Sequence, residues 1–245
     1  MRSLKNAAVI AAACALFAAN AAFAQEPGVN ILKFSVYNSE FRGFEAKIVT
    51  PVVTGLSVKK EQEAVNDAIF QRALSVTTQY QKEVQMTLAD DPNFSGHMGV
   101  VFDYAIRCDS AKVLALDVYE MNIAGSSSTT HTFYNFDKQA GKLIYLEDFF
   151  NGKADFVKPI SEYITQEMKR RNKKDGANFW IAPKDPSGFT GITATPKFYI
   201  NDKGSIVICF DKYEVAPGST GSPEFVIPHK VIAPYMAKNN ILSGK

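Results

Sequence analysis

Between residues 99 and 146 four strand-like runs follow one another with almost nothing between them: GVVFDYAIRC, KVLALDVYEMN, THTFYNF and KLIYL. Parallel neighbours need a crossover of roughly a dozen residues or more, and these gaps have no room for one, so the runs predict an antiparallel meander. Asp137-Lys138-Gln139-Ala140-Gly141 joins the last two with hairpin chemistry, because glycine takes the positive φ that such a loop needs.

The flanking segments supply the helices. Upstream, ILKFSVYNSEFRGFEAKIVTPVV alternates loosely and predicts two strands, the second ending near Pro51. A turn leads to Ser57, a candidate helix N-cap. From Val58 to about Leu88, residues Val65, Ile69, Ala73, Val76, Tyr80 and Val84 recur at three- and four-residue spacing, which predicts a long core-covering helix stopped before Asp91-Pro92. A second helix is expected over residues 155–173, with Ile160, Ile164 and Met168 inward and Pro159 in its first turn. Strand pattern returns at KFYIN, turns through Asp202-Lys203-Gly204 and continues as SIVICFDKYEV. An uncharged loop, APGSTGSP, leads to EFVIP and a short terminal helix near residues 232–236. The expected class is α+β: antiparallel sheet with two main helices packed on one side. The expected division is a signal peptide at 1–24, an N-terminal α+β subdomain at 25–155 and a C-terminal one at 156–245, packed together as one unit.

The signal peptide rests on Arg2 and Lys5, an alanine-rich apolar run from Ala7 to Phe23, and an A-x-A pattern at Ala22-Phe23-Ala24. This places the protein in a periplasm or outside the cell. The 27 basic residues less Arg2 and Lys5 leave 25 against 25 acidic ones, so the exported chain is neutral. Nothing in that balance points to nucleic acid or an anionic membrane. About 220 residues remain, enough for one large domain or two small ones. Two cysteines stay in the exported chain, Cys108 and Cys209. They are either a disulfide, which an oxidising compartment permits, or two buried thiols. By alternation, Cys108 shares a strand face with Val100, Phe102, Tyr104 and Ile106.

Catalytic templates are absent. No GxSxG elbow or Gly-rich phosphate cradle occurs, and His97, His131 and His229 lack zinc spacing. The segment His131-Thr132-Phe133-Tyr134-Asn135 half-matches a deacetylase metal motif, with asparagine where the second histidine belongs. Glu147, Asp148 and Asp211 are the candidates for an unrecognised carboxylate pair, and Asp148 and its neighbour also suit a turn. Phe179-Trp180 is either an exposed stacking surface or core edge. No catalytic residue, metal ligand or cofactor is expected.

Taken in order, PVVTGL, the helix with Val65-Asn66-Asp67-Ala68-Ile69, VVFDYAIRC, VLALDVYEMN, TFYNFDKQAGKLIYLEDFF and FYINDKGSIVICFDKYEVAPGSTGSPEFVIP resemble the exported domain pair of RsiV-type anti-sigma factors, which sense lysozyme. The same order resembles the region that precedes a peptidoglycan deacetylase domain in PdaC-type proteins. The resemblance implies an α+β, extracytoplasmic, non-enzymatic binding protein, here without sigma-binding segment, membrane span or deacetylase domain. Its partner would be a lysozyme-like muramidase or peptidoglycan; a polysaccharide-acting hydrolase and a structural envelope component are the alternatives. By position, the implied ligand-facing loops are residues 124–130 and 216–223. They offer Gly125, Ser126, Ser127, Ser128, Pro217, Gly218, Ser219, Gly221, Ser222 and Pro223, with His131, Tyr213 and Phe225 as neighbouring anchors.

Overall fold

The structure is a computed structural model and describes residues 28–152 and 155–242. The expected signal peptide lies outside the described residues. Strands β1 (Asn30–Phe41) and β2 (Phe44–Thr54) form a hairpin around Arg42-Gly43, both at positive φ (50 and 81), as a tight two-residue turn requires. A side chain on Gly43 would also put its Cβ 2.2 Å from the Gly96 carbonyl oxygen.

Helix α1 (Lys59–Asp90) then carries the chain across the sheet, so that β3 (Met98–Asp109) lies parallel to β2. This one parallel pair has the helical crossover that parallel pairing demands. Asn66 fixes the helix to β2: its side-chain amide accepts from the Val53 N–H at 2.8 Å and donates to the Val53 carbonyl at 2.9 Å. Ser57 does not cap the helix. Val58 occupies that position without a side-chain bond, and the Ser57 hydroxyl lies 2.8 Å from the Ala140 carbonyl in the turn at residues 137–141.

The predicted meander is present. β4 (Val113–Ala124), β5 (Ser128–Asp137) and β6 (Lys142–Leu143) follow β3 antiparallel, completing a six-stranded sheet in the order β1-β2-β3-β4-β5-β6. KLIYL pairs only through its first two residues before a 3-10 turn, Leu146–Phe149. The second expected helix is α2 (Val157–Asp175). Pro159 lies in its first turn, where no intrahelical N–H bond is lost, and Gly176 at φ 66 ends it. β7 (Phe198–Ile200), β8 (Ile206–Cys209) and β9 (Glu224–Val226) form a separate three-stranded antiparallel sheet. A short helix, α3 (His229–Ile232), and a 3-10 turn, Ala233–Tyr235, place the terminal helical segment slightly ahead of its expected position.

Two cores use opposite faces of the large sheet, and β4 shows the division residue by residue. Leu114, Leu116 and Val118 pack with Val65, Ile69 and Val76 of α1. Val113 and Ala115 pack instead with Ile160, Ile164 and Met168 of α2 and with β8. Burial on both faces explains why VLALDV reads as a nearly continuous apolar run. The class is α+β as expected; the refinement is that α1 and α2 belong to different faces rather than one side. The small sheet is locked to the large one by Asn135 of β5, 2% exposed. Its amide donates to the Phe198 carbonyl at 3.1 Å and accepts from the Ile200 N–H at 3.0 Å, completing the free edge of β7.

The cysteines end in the second core as free, buried thiols. Cys108 arrives there because the register of β3 slips between Ile106 and Cys108. Arg107 is the extra residue, so Cys108 leaves the face of Val100 and Phe102 on which alternation had put it. Burial pushes both thiols up, which keeps them protonated and unreactive.

Candidate functional site

The β4–β5 hairpin ends in Gly125, Ser126 and Ser127, with Gly125 at φ 64. The strand expected to run on to Val215 instead stops at Cys209, and residues 211–214 fold back as a turn. The Asp211 N–H donates to Glu214 Oε2 at 2.7 Å, and Tyr213 adopts φ 71. That turn reaches the hairpin. The Lys212 ammonium donates to the Ser127 carbonyl, the Lys212 N–H lies 3.4 Å from the Thr129 carbonyl, and the His131 N–H donates to Asp211 Oδ1 at 3.0 Å.

The two segments marked in the sequence are thereby joined through Lys212, which the sequence did not single out, and Asp211, which it marked only as a candidate carboxylate. Tyr213, 44% exposed, lays its ring over Gly218. A Cβ there would come within 2.3 Å of the Tyr213 Cε1, Cζ and hydroxyl oxygen, so this glycine is needed for the close approach. Residues 218–220 form a 3-10 turn, and the Thr220 hydroxyl donates to the Ala177 carbonyl at 2.9 Å. Ser126, Ser128 and Ser219 are exposed; Pro217, Gly221 and Ser222 are half-buried.

Two candidates fall elsewhere. Pro223 is buried, and Phe225 is fully buried between Phe179, Phe210 and the Arg171 guanidinium, 4.4 Å above its ring. As core residues they present no surface. Phe179 is core as well, while Trp180 is half-buried.

Beneath the joined loops lies a polar cluster. Asp117, 0% exposed, projects from β4 on the face of Ala115. Its Oδ2 accepts from Arg107 Nε at 3.0 Å and Nη2 at 2.7 Å, and His131 Nδ1 is 3.0 Å from Oδ1. The bulge at Arg107 makes this possible, because it turns that side chain and Cys108 to the same face. Arg107 also lies 5.4 Å from the Tyr199 ring centroid and 3.6 Å from Glu224 Oε1, while the Tyr199 hydroxyl donates to Glu224 Oε2 at 2.9 Å. Phe133 stacks between His131, at 5.8 Å, and Tyr199, at 5.3 Å. Lys197 pairs with Asp211 and closes the cluster toward the loop.

The electrostatics are those of a closed network. Burial pulls the Arg107 guanidinium down, but Asp117, with Glu224 behind it, outweighs this and leaves it above its ordinary value. Burial and then Glu224 push the Tyr199 phenol up, so it remains a donor. An Asp-His contact is the arrangement that activates a nucleophile, yet among the described residues no hydroxyl or thiol is hydrogen-bonded to His131 Nε2. Asp211 is occupied by Lys197 and the His131 amide, and Asp148 accepts from the Tyr145 N–H in its own turn. Among the described residues no group of three or more His, Cys, Asp or Glu is arranged to hold a metal ion. No helix among them is long and apolar enough to cross a membrane.

One signal for this cluster was present in the sequence: Asp117 interrupts an apolar run that has no solvent face. Arg107, Tyr199 and Glu224 carried no comparable mark.

Comparison with known proteins places the chain. Residues 147–230 match the family described as "Protein of unknown function (DUF3298)". Over 199 residues, 81% of this chain, the sequence is 30% identical to the anti-sigma-V factor RsiV of Bacillus subtilis (strain 168), of whose length the chain spans 65%. Two DUF3298-family crystal structures share the fold. That from Bacteroides fragilis has a TM-score of 0.58 at 14% identity, covering 89% of this chain and 98% of its own. That from Pseudomonas aeruginosa has a TM-score of 0.57 at 15% identity, covering 90% and 99%. By sequence, residues 147–230 match the DUF3298 family model and most of the chain is similar to RsiV; by fold, the chain is similar to two DUF3298-family structures.

Proposed function

We propose that this chain is an exported, non-enzymatic binding protein of the cell envelope, and that the hairpin tip together with residues 211–222 takes a lysozyme-like muramidase. The observation that carries the reading is the joining of two small, uncharged loops into one surface by Lys212 and Asp211. Loops of small residues on a rigid sheet let a concave partner approach closely. Tyr213 supplies the aromatic anchor that such loops otherwise lack. Similarity to an anti-sigma factor, a regulator, supports binding rather than catalysis. Peptidoglycan is the second partner that the sequence resemblance implies, and it is tested beside the first.

Calorimetry of the purified chain against a lysozyme and against soluble muropeptides tests this. Binding is expected with one of them, weakened about tenfold or more by Tyr213→Ala, as loss of a buried aromatic anchor implies. Absence of heat with both, across a range of salt, removes the proposal. Release of reducing ends or free amines from peptidoglycan would replace it with the hydrolase reading.

A further inference from the structure

The outer edge of β5 is open where β6 abandons it. β5 pairs with β4 along its whole length, but with β6 only at Phe136↔Leu143 and Asp137↔Lys142. Which backbone groups face the open side follows from two bonds. The Asn135 carbonyl accepts from the Ile144 N–H at 2.7 Å, and the His131 N–H donates to Asp211 at 3.0 Å. Odd-numbered residues of β5 therefore point outward. Phe133 lies midway between these two bonds, and among the described residues its N–H and carbonyl take no partner. The open stretch from His131 to Asn135 is about 13 Å long at the usual strand rise.

A groove of about 380 Å³ runs beside it. Phe133 and Tyr134 both line this groove, although their side chains belong to opposite faces of the sheet, so it follows the edge rather than either face. Its far wall is the segment that includes Pro196 and Lys197. At the β6 end stand Tyr145, 53% exposed, and the exposed carboxylate of Glu147, with Asp148 next to it. Lys197, at the other end, already pairs with Asp211. The unmatched charge of the groove is thus negative, beside an exposed aromatic ring.

We propose that this edge accepts an extended segment of a partner polypeptide as an added strand, in the ladder position that β6 leaves after Ile144. A polypeptide backbone presents a donor and an acceptor at the spacing that Phe133 requires. The apolar lining takes alternate apolar side chains. A basic residue at the β6 end meets Glu147 and the Tyr145 ring. The proposal is separate from the hairpin surface and holds whichever partner that surface takes.

A synthetic peptide, acetyl-VTFVRR-amide, tests it against the purified chain, with two versions N-methylated at alternate amides in opposite phase. Only one phase of amides can face β5. Methylation in that phase is expected to weaken binding about tenfold or more, through loss of ladder hydrogen bonds, and methylation in the other phase to be tolerated. The peptide should shift the Phe133 amide resonance, and the surface variant Glu147→Lys should weaken the arginine-ended peptide while leaving the free chain's spectrum otherwise intact. Equal binding of both methylated versions, no binding of any version, or an unmoved Phe133 resonance would overturn the proposal. So would a concentration-dependent dimer dispersed by the peptide, which would give the edge to a second copy of this chain. A chitin oligosaccharide moving that resonance when the peptide does not would give it to a glycan instead.

Discussion

The two faces of β4 are built by different rules within six residues. Leu114, Leu116 and Val118 look toward α1 and pack in its apolar cluster. On the other face, Ala115 is followed by Asp117, buried to the same degree but held by directed bonds to Arg107 and His131. The first face is specified by volume and the second by geometry. A buried ion pair of this kind adds little net stability over an apolar replacement of similar size, while removing one partner is costly. Its contribution is to hold Arg107, His131 and, through the His131 backbone, Asp211 in one arrangement under the loops.

Conservative changes sharpen this contrast most. Asp117→Ala leaves the half-buried Arg107 cation without its carboxylate and is expected to cost up to about 3–5 kcal/mol. Leu116→Ala, by cavity formation, costs about 2–5 kcal/mol. The informative pair is milder. Leu116→Met is expected to cost less than about 1.5 kcal/mol, whereas Asp117→Asn removes the charge that pairs with Arg107 and costs more. Urea denaturation measures both, and equal tolerance at the two positions would break the distinction.

A smaller effect is expected on the loop surface. Gly218→Val drives a branched side chain into the Tyr213 ring, and overpacking of that kind costs about 1–3 kcal/mol. Because the ring is displaced, partner affinity should fall further than stability does. Smallest is the link between α2 and β9. The hydrogen bond from Arg170 holds Glu167 down to about 2 from its ordinary 4.5, against an opposing effect of burial and with help from Arg171. Arg171 in turn donates to the Glu224 carbonyl at 3.2 Å. The folded-state pKa is lowered, so this contribution is fully present above about pH 4.5 and is lost as pH falls toward 2. After solvent screening it is on the order of 1 kcal/mol. Glu167→Gln should flatten that part of the stability-against-pH curve and leave the Asp117 cluster untouched.

The apolar face was legible in the sequence, and much of the directed face was not. Val65, Ile69, Ala73, Val76 and Tyr80 mark α1 by their period, and all five are buried in it. The meander was legible for the same reason, aided by Gly141. Arg107 was not, because a bulge changes which face follows it without disturbing the alternating pattern before it. The end of β8 was missed because Tyr213 and Val215 still alternate with polar residues beyond it. The turn that stops it is closed by the Asp211 and Glu214 pairing and by a tyrosine at positive φ, a conformation that few non-glycine residues take. Lys212, which joins the two loops, was invisible for the same reason: a residue read as strand was in a turn. Phe225 was misassigned to the surface because its strand, β9, has only three residues, too few to show which side is covered.

Amide hydrogen exchange of the chain with and without lysozyme tests the central claim most directly. The account predicts added protection at residues 124–130 and 211–222, with the exposed side of α1 unchanged. Protection on α1 with none at those two segments would contradict it.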